Sequence, residues 1–181
     1  MKAALWRLVA FVVVGSLLAG CTRLTGHVST LLHMEPPQNP LFKVDSPDSI
    51  SLTERIIREH IERKMADHGY KKASSGEIPN VGVIYKYSVG SGVTSVSSSP
   101  DFVWGGQKVE SASEYPRFFQ LALINIEKSK ASETVKIIWQ GEVYSSGSST
   151  NISQLAPHFI DVIFENYGST VTNRHFFKII D

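Results

Sequence analysis

Cysteine is nearly missing from these 181 residues: Cys21 is the only one. A single thiol excludes an internal disulfide and a multi-cysteine zinc cluster. An excess of either charge is missing as well. Eighteen basic against 17 acidic residues leave a formal net charge of +1, which excludes the bulk basic footprint of a nucleic-acid binder and the acidic surplus of a solvating tail. No apolar run is long enough for a permanent membrane span. From Leu8 to Ala19 the chain makes about 18 Å of helix, against a hydrocarbon core of about 30 Å. Apolar residues at 42% and charged residues at 19% fit one folded domain with appendages, not a disordered or multi-span chain.

The patterns that carry chemistry are lacking too. The histidines at 27, 33, 60, 68, 158 and 175 include no pair at i, i+4 and no His-Glu-x-x-His, so no metal is expected. There is no Gly-x-Ser-x-Gly elbow and no Ser-x-x-Lys box. Gly90-Ser91-Gly92 lacks the third glycine of a dinucleotide fingerprint and no helix is expected after it. Asp45 and Asp48 flank Pro47 in a turn ahead of a helix, a position that suits helix initiation better than acid/base work. No catalytic residue and no cofactor are expected, and the chain reads as a non-enzyme.

What is present begins at the N-terminus. Lys2 and Arg7 are the only charges before Cys21, and a short apolar stretch follows them, the anatomy of a secretory signal. It ends in Leu18-Ala19-Gly20-Cys21, which resembles the lipobox of bacterial lipoproteins. That resemblance implies cleavage before Cys21, transfer of diacylglycerol to its thiol, and acylation of the new amine. Three acyl chains exceed the two signals needed for stable anchoring. Thr22 stands where an Asp resembles an inner-membrane retention signal in Gram-negative lipoproteins, so outer-membrane localisation is expected. Loss of residues 1–20 removes two basic residues and no acidic ones, leaving a formal charge of −1; neither nucleic acid nor anionic headgroups are then bulk electrostatic targets.

The expected organisation is a signal peptide over 1–20, a lipidated cysteine and flexible tether over 21–40, and a periplasm-facing α/β domain over 41–181. Pro36, Pro37 and Pro40 stiffen the tether; Val28, Leu31, Leu32 and Met34 leave open a short first strand or docking onto the domain. A helix is expected from Leu52 to His68, capped by Ser51 and Glu54, with an apolar stripe of Leu52, Ile56, Ile57, Ile61 and Met65. Strands are expected at 41–44, 82–89, 118–126, 135–143 and 176–180, the third apolar on both alternating faces. Residues 127–134 read as a hairpin loop. A second helix is expected from Ile152 to Tyr167. The fold class is therefore α+β: a single-layer mixed or antiparallel sheet of about five strands, order β-α-β-β-β-α-β, with two helices packed on one face.

Several segments taken together resemble the bacterial lipoprotein family called domain of unknown function 4136. They are His68-Gly69-Tyr70 closing the first helix, Val83-Ile84-Tyr85-Lys86-Tyr87, Tyr115 to Ile126, Ile138-Trp139-Gln140-Gly141, Ser145 to Ser149, and Ala156-Pro157. The resemblance implies an α/β layer like that of other periplasm-facing lipoproteins, and no catalytic residues.

Two segments are candidate binding sites. Gly147, Ser148 and Ser149 precede a helix N-terminus, where amides and hydroxyls suit either an anion or a simple helix cap. Phe102 and Trp104 lie in the Ser/Gly-rich stretch 90–113, either in a docking loop or in an extra strand completing the core. The expected role is a non-catalytic, tethered outer-membrane component that binds an envelope protein. The alternative is an auxiliary subunit of a lipid-trafficking or secretion complex, with an apolar groove between sheet and helices.

Overall fold

The computed structural model describes residues 22–45, 51–101, 106–132 and 134–180. In chain order the strands are β1 (Thr22–Leu32), β2 (Leu41–Val44), β3 (Lys71–Lys72), β4 (Val81–Val89), β5 (Val93–Asp101), β6 (Gly106–Asn125), β7 (Ile137–Gly147) and β8 (Val171–Ile180). The helices are α1 (Leu52–Asp67), α2 (Ile126–Ser132) and α3 (Ile152–Phe164). Sheet order is β3-β2-β4-β6-β7-β1-β8, with β5 pairing β6 off that path. β2 runs parallel to β3 and β4, and the remaining pairings are antiparallel.

This corrects the expected five strands and two helices to eight strands and three helices among the described residues. Each addition has a physical reason. β1 occupies most of the expected tether. Its inward positions run Leu24, Gly26, Val28, Thr30 and Leu32, so a glycine and a threonine interrupt the apolar face and the period-2 signal is diluted. Gly26 is small because a Cβ there would run into the Tyr144 backbone carbonyl and lie 2.9 Å from the Phe176 ring. Thr30 hides its hydroxyl by donating to the Ser169 carbonyl at 2.9 Å. β3 is only two residues long. β5 is serine-rich and shows no alternation. α2 buries no residue, so it leaves no periodic trace in the expected hairpin loop.

The core lies between one face of the sheet and α1 plus α3. Ile57, Ile61 and Met65 of α1 and Leu155, Phe159, Val162 and Ile163 of α3 meet Phe42, Val81, Val83, Phe119, Leu121, Leu123 and Trp139. Leu52, expected in the α1 stripe, is instead 63% exposed. The α1 cap is as the residues dictate: the Glu54 amide donates to Ser51 Oγ and the Ser51 amide to Glu54, satisfying two orphan donors. Gly141 sets the spacing of α3, since a Cβ there would fall 2.5 Å from Ile163. Trp139, Phe42, Phe119 and Phe159 are fully buried in this interlayer. These side chains fill the middle of the interlayer, and open hollows of about 450 and 480 Å³ lie at its margins, one beside Val162, Glu165 and Arg174 and the other beside Arg58, Glu62 and Lys72.

Candidate functional site

The helix-free face of the sheet is built by the alternate residues of five strands. Reading across it, β4 presents Ile84 and Lys86, β6 presents Phe118 and Gln120, β7 presents Gln140, Glu142 and Tyr144, β1 presents Arg23, His27 and Leu31, and β8 presents His175, Phe177 and Ile179. From Phe118 onward β6 is apolar on both alternating faces, the pattern of a strand covered on both sides or curling over a core. No strand or core helix covers this side of it among the described residues, where Ala122 stands between Ile84 and Gln140.

A row of rings crosses this face. Lys86 Nζ sits 5.6 Å from the centre of the Phe118 ring, Phe118 packs on Tyr144 at 4.8 Å, Tyr144 stands opposite His27, and His27 meets His175 edge-on at 5.4 Å. Four inter-strand steps of about 4.8 Å make the row roughly 19 Å long. Tyr144 is 53% exposed. Beside the row lies an open hollow of about 240 Å³, lined by Ser29, Leu31, Gln120, Gln140, Glu142 and Thr170 among others. It is smaller than the roughly 300 Å³ at which small-molecule pockets begin. Exposed rings with a polar surround suit a broad contact better than an enclosed ligand.

The corner where the chain enters the sheet lies on the same face. Thr22 opens β1 opposite Ile180, and Arg23 stands opposite Ile179. Leu18, Ala19, Gly20 and Cys21 lie outside the described residues. Phe102 and Trp104, which follow β5 in the sequence, do too. Within the stretch 90–113, residues 93–101 and 106–113 are strand: β5 pairs along its nine residues with Gly106–Glu114. At about 3.3 Å per residue this two-stranded ribbon is roughly 30 Å long. It leaves the sheet where β7 ends, Tyr115 opposite Gly147, which is the end of the sheet that also carries Thr22.

Gly147 closes β7, and Ser148 and Ser149 link it to α3. Their local role is accounted for by the turn. The Asn151 amide donates to Ser149 Oγ at 3.2 Å, and Ser153 Oγ donates to Asn151 Oδ1 at 2.6 Å. Gly147 makes room for Arg117, whose guanidinium would lie 2.6 Å from a Cβ at that position. Arg117 is only 5% exposed and its Nε has no hydrogen-bond partner among the described residues. Burial pushes its pKa down and Glu114 partly opposes the shift. A single arginine in a central strand gave no advance sign of being buried.

A second polar cluster joins α1, α3 and β8. Asp161 receives His60 Nε2 at 2.9 Å, Lys64 Nζ at 2.8 Å and Lys178 Nζ at 3.1 Å, while Arg63 reaches the other ring nitrogen of His60. Burial alone would raise the Asp161 carboxyl, but the hydrogen bonds from His60, Lys64 and Lys178 outweigh it and hold the group well below the usual carboxylate range. An ionised carboxylate shared by two lysines is a clamp, not a base waiting for a proton. Tyr70 and Tyr167 form a second clamp, their hydroxyls 2.5 Å apart; burial, then the shared hydrogen bond, pushes Tyr70 up. Among the described residues no three His, Cys, Asp or Glu side chains converge as a metal site, and no helix is long and apolar enough to cross a membrane.

No protein-family model matches the chain, and no curated protein does. Among solved structures, a PDZ domain protein from Parabacteroides distasonis is similar at a TM-score of 0.53 and 13% identity, over 87% of this chain and 38% of that one. A PelC dodecamer from Paraburkholderia phytofirmans is similar at a TM-score of 0.42 and 10% identity, over 76% of this chain and 93% of that one. The first likeness is one of fold, and the chain spans well under half the length of that protein.

Proposed function

We propose that the protein is a non-catalytic lipoprotein of the outer membrane, acylated on Cys21, whose sheet face binds another component of the cell envelope. The observation that carries the reading is Leu18-Ala19-Gly20-Cys21, set at the end of a basic-then-apolar leader and directly ahead of the folded domain. The uncovered face with Phe118, Tyr144, His27 and His175 supports the binding role. Anchoring confines that face to the membrane surface, which raises its effective concentration toward a partner held there. The resemblance to the lipoprotein family of unknown function belongs to this proposal.

The test is fractionation of the full-length protein and two variants in a Gram-negative host. The unaltered chain is expected in the outer membrane, Cys21→Ala in no lipid-modified form, and Thr22→Asp in the inner membrane. Fatty-acid labelling that persists in Cys21→Ala contradicts the anchor, because no other thiol exists. Unchanged fractionation of Thr22→Asp contradicts the sorting.

A further inference from the structure

We propose that the domain has no leash and sits directly on the bilayer that holds its acyl chains, through Phe177 and Ile179 of β8 beside Arg23 of β1. This rests on the reading of Cys21 as the lipidated residue. Cys21 is followed at once by Thr22, and one residue adds about 3.8 Å of reach. From Thr22 onward the chain is paired to β8, and from Gly26 also to β7. An anchor at Cys21 therefore brings the Thr22–Ile180 corner to the membrane and leaves no slack for the domain to swing.

What that corner exposes is apolar. Phe177 is 55% and Ile179 57% exposed, both on the helix-free face. Their neighbours Phe176 and Ile180 point the other way and pack on the core. The two outward residues thus contribute little to the fold. Ile179 stands opposite Arg23, and Phe177 opposite Thr25; Arg23 is exposed. Two large apolar side chains with an arginine beside them have the composition of an interfacial contact, the apolar groups entering the headgroup boundary and the cation meeting anionic phosphate. β8 is the last strand of the sheet, so no further strand stands between this patch and a surface approaching from its side.

The sole native cysteine makes the test clean. With its thiol occupied by lipid, Phe177→Cys, Ile179→Cys and, as control on the same face, Ile84→Cys each offer one site for a nitroxide. The full-length variants are purified from membranes, their acylation at Cys21 is verified by intact mass, and they are reconstituted into vesicles of phosphatidylethanolamine and phosphatidylglycerol. Collision with a water-soluble nickel chelate is expected to be roughly tenfold lower at 177 and 179 than at 84, with oxygen collisions raised. Equal nickel accessibility at all three positions in acylated protein overturns the seating and leaves the anchor standing. Absence of acyl mass on Cys21 overturns both.

Discussion

Two lysines and a histidine on one carboxylate make Asp161 the most consequential single polar residue in the domain. It ties α1 through His60 and Lys64, and β8 through Lys178, to its own helix α3. Asp161→Asn should cost about 1.5–3 kcal/mol at neutral pH, the scale of hydrogen bonds to charged groups. The sign of the pH dependence follows from the depressed folded-state pKa. The contribution is fully present above the unfolded carboxyl value of about 3.9 and is lost as pH falls through the lower folded value. Denaturation of both proteins from pH 7 downward should show the gap shrinking below about pH 4; a gap constant with pH contradicts the clamp. Residue chemistry of this kind was only partly legible beforehand. Asp161 and His60 lie 101 positions apart, and nothing local to either announces the other. The Ser51–Glu54 cap, by contrast, is a local pattern and was readable.

Elements were legible in proportion to the regularity of their buried face. α1 places Ile57, Ile61 and Met65 on one buried face, and β4 alternates Val81, Val83, Tyr85 and Tyr87 against exposed Ile84 and Lys86; both are recoverable from period alone. β8 was visible only from Phe176, because its first half, Thr172 to His175, is exposed and polar. The β5–β6 ribbon gave no alternation, since its root pairs are Val93 with Glu114, Thr94 with Ser113 and Ser95 with Ala112. A lone two-stranded ribbon is marginal in water. Amide exchange should therefore be at least about 100-fold faster over 93–101 and 106–114 than over Phe119–Leu123, where β6 is flanked by β4 and β7. Equal protection in both halves of β6 contradicts a ribbon that stands apart from the sheet.

At the scale of the molecule, the decisive revision is that the segment after Cys21 is structure and not tether. β1 lies between β7 and β8 and brings Leu24 and Val28 into the core, each 1% exposed. Removing one fully buried aliphatic side chain costs about 2–5 kcal/mol, against a whole-domain stability of about 5–15 kcal/mol. Deletion of residues 22–32 should therefore abolish cooperative thermal unfolding, measured by circular dichroism. A deletion that leaves the melting temperature unchanged would restore the tether. The tether reading failed because Gly26, Ser29 and Thr30 look like linker residues, and the prolines at 36, 37 and 40 that do break the chain come after the strand ends.

The placement of the whole molecule turns on what is attached to Cys21. Intact mass spectrometry of the protein extracted from membranes with detergent measures this directly. The account expects a chain that begins at Cys21 and carries a diacylglycerol and one further acyl group. A chain that begins at Met1, or that begins at Cys21 with a free thiol, contradicts it.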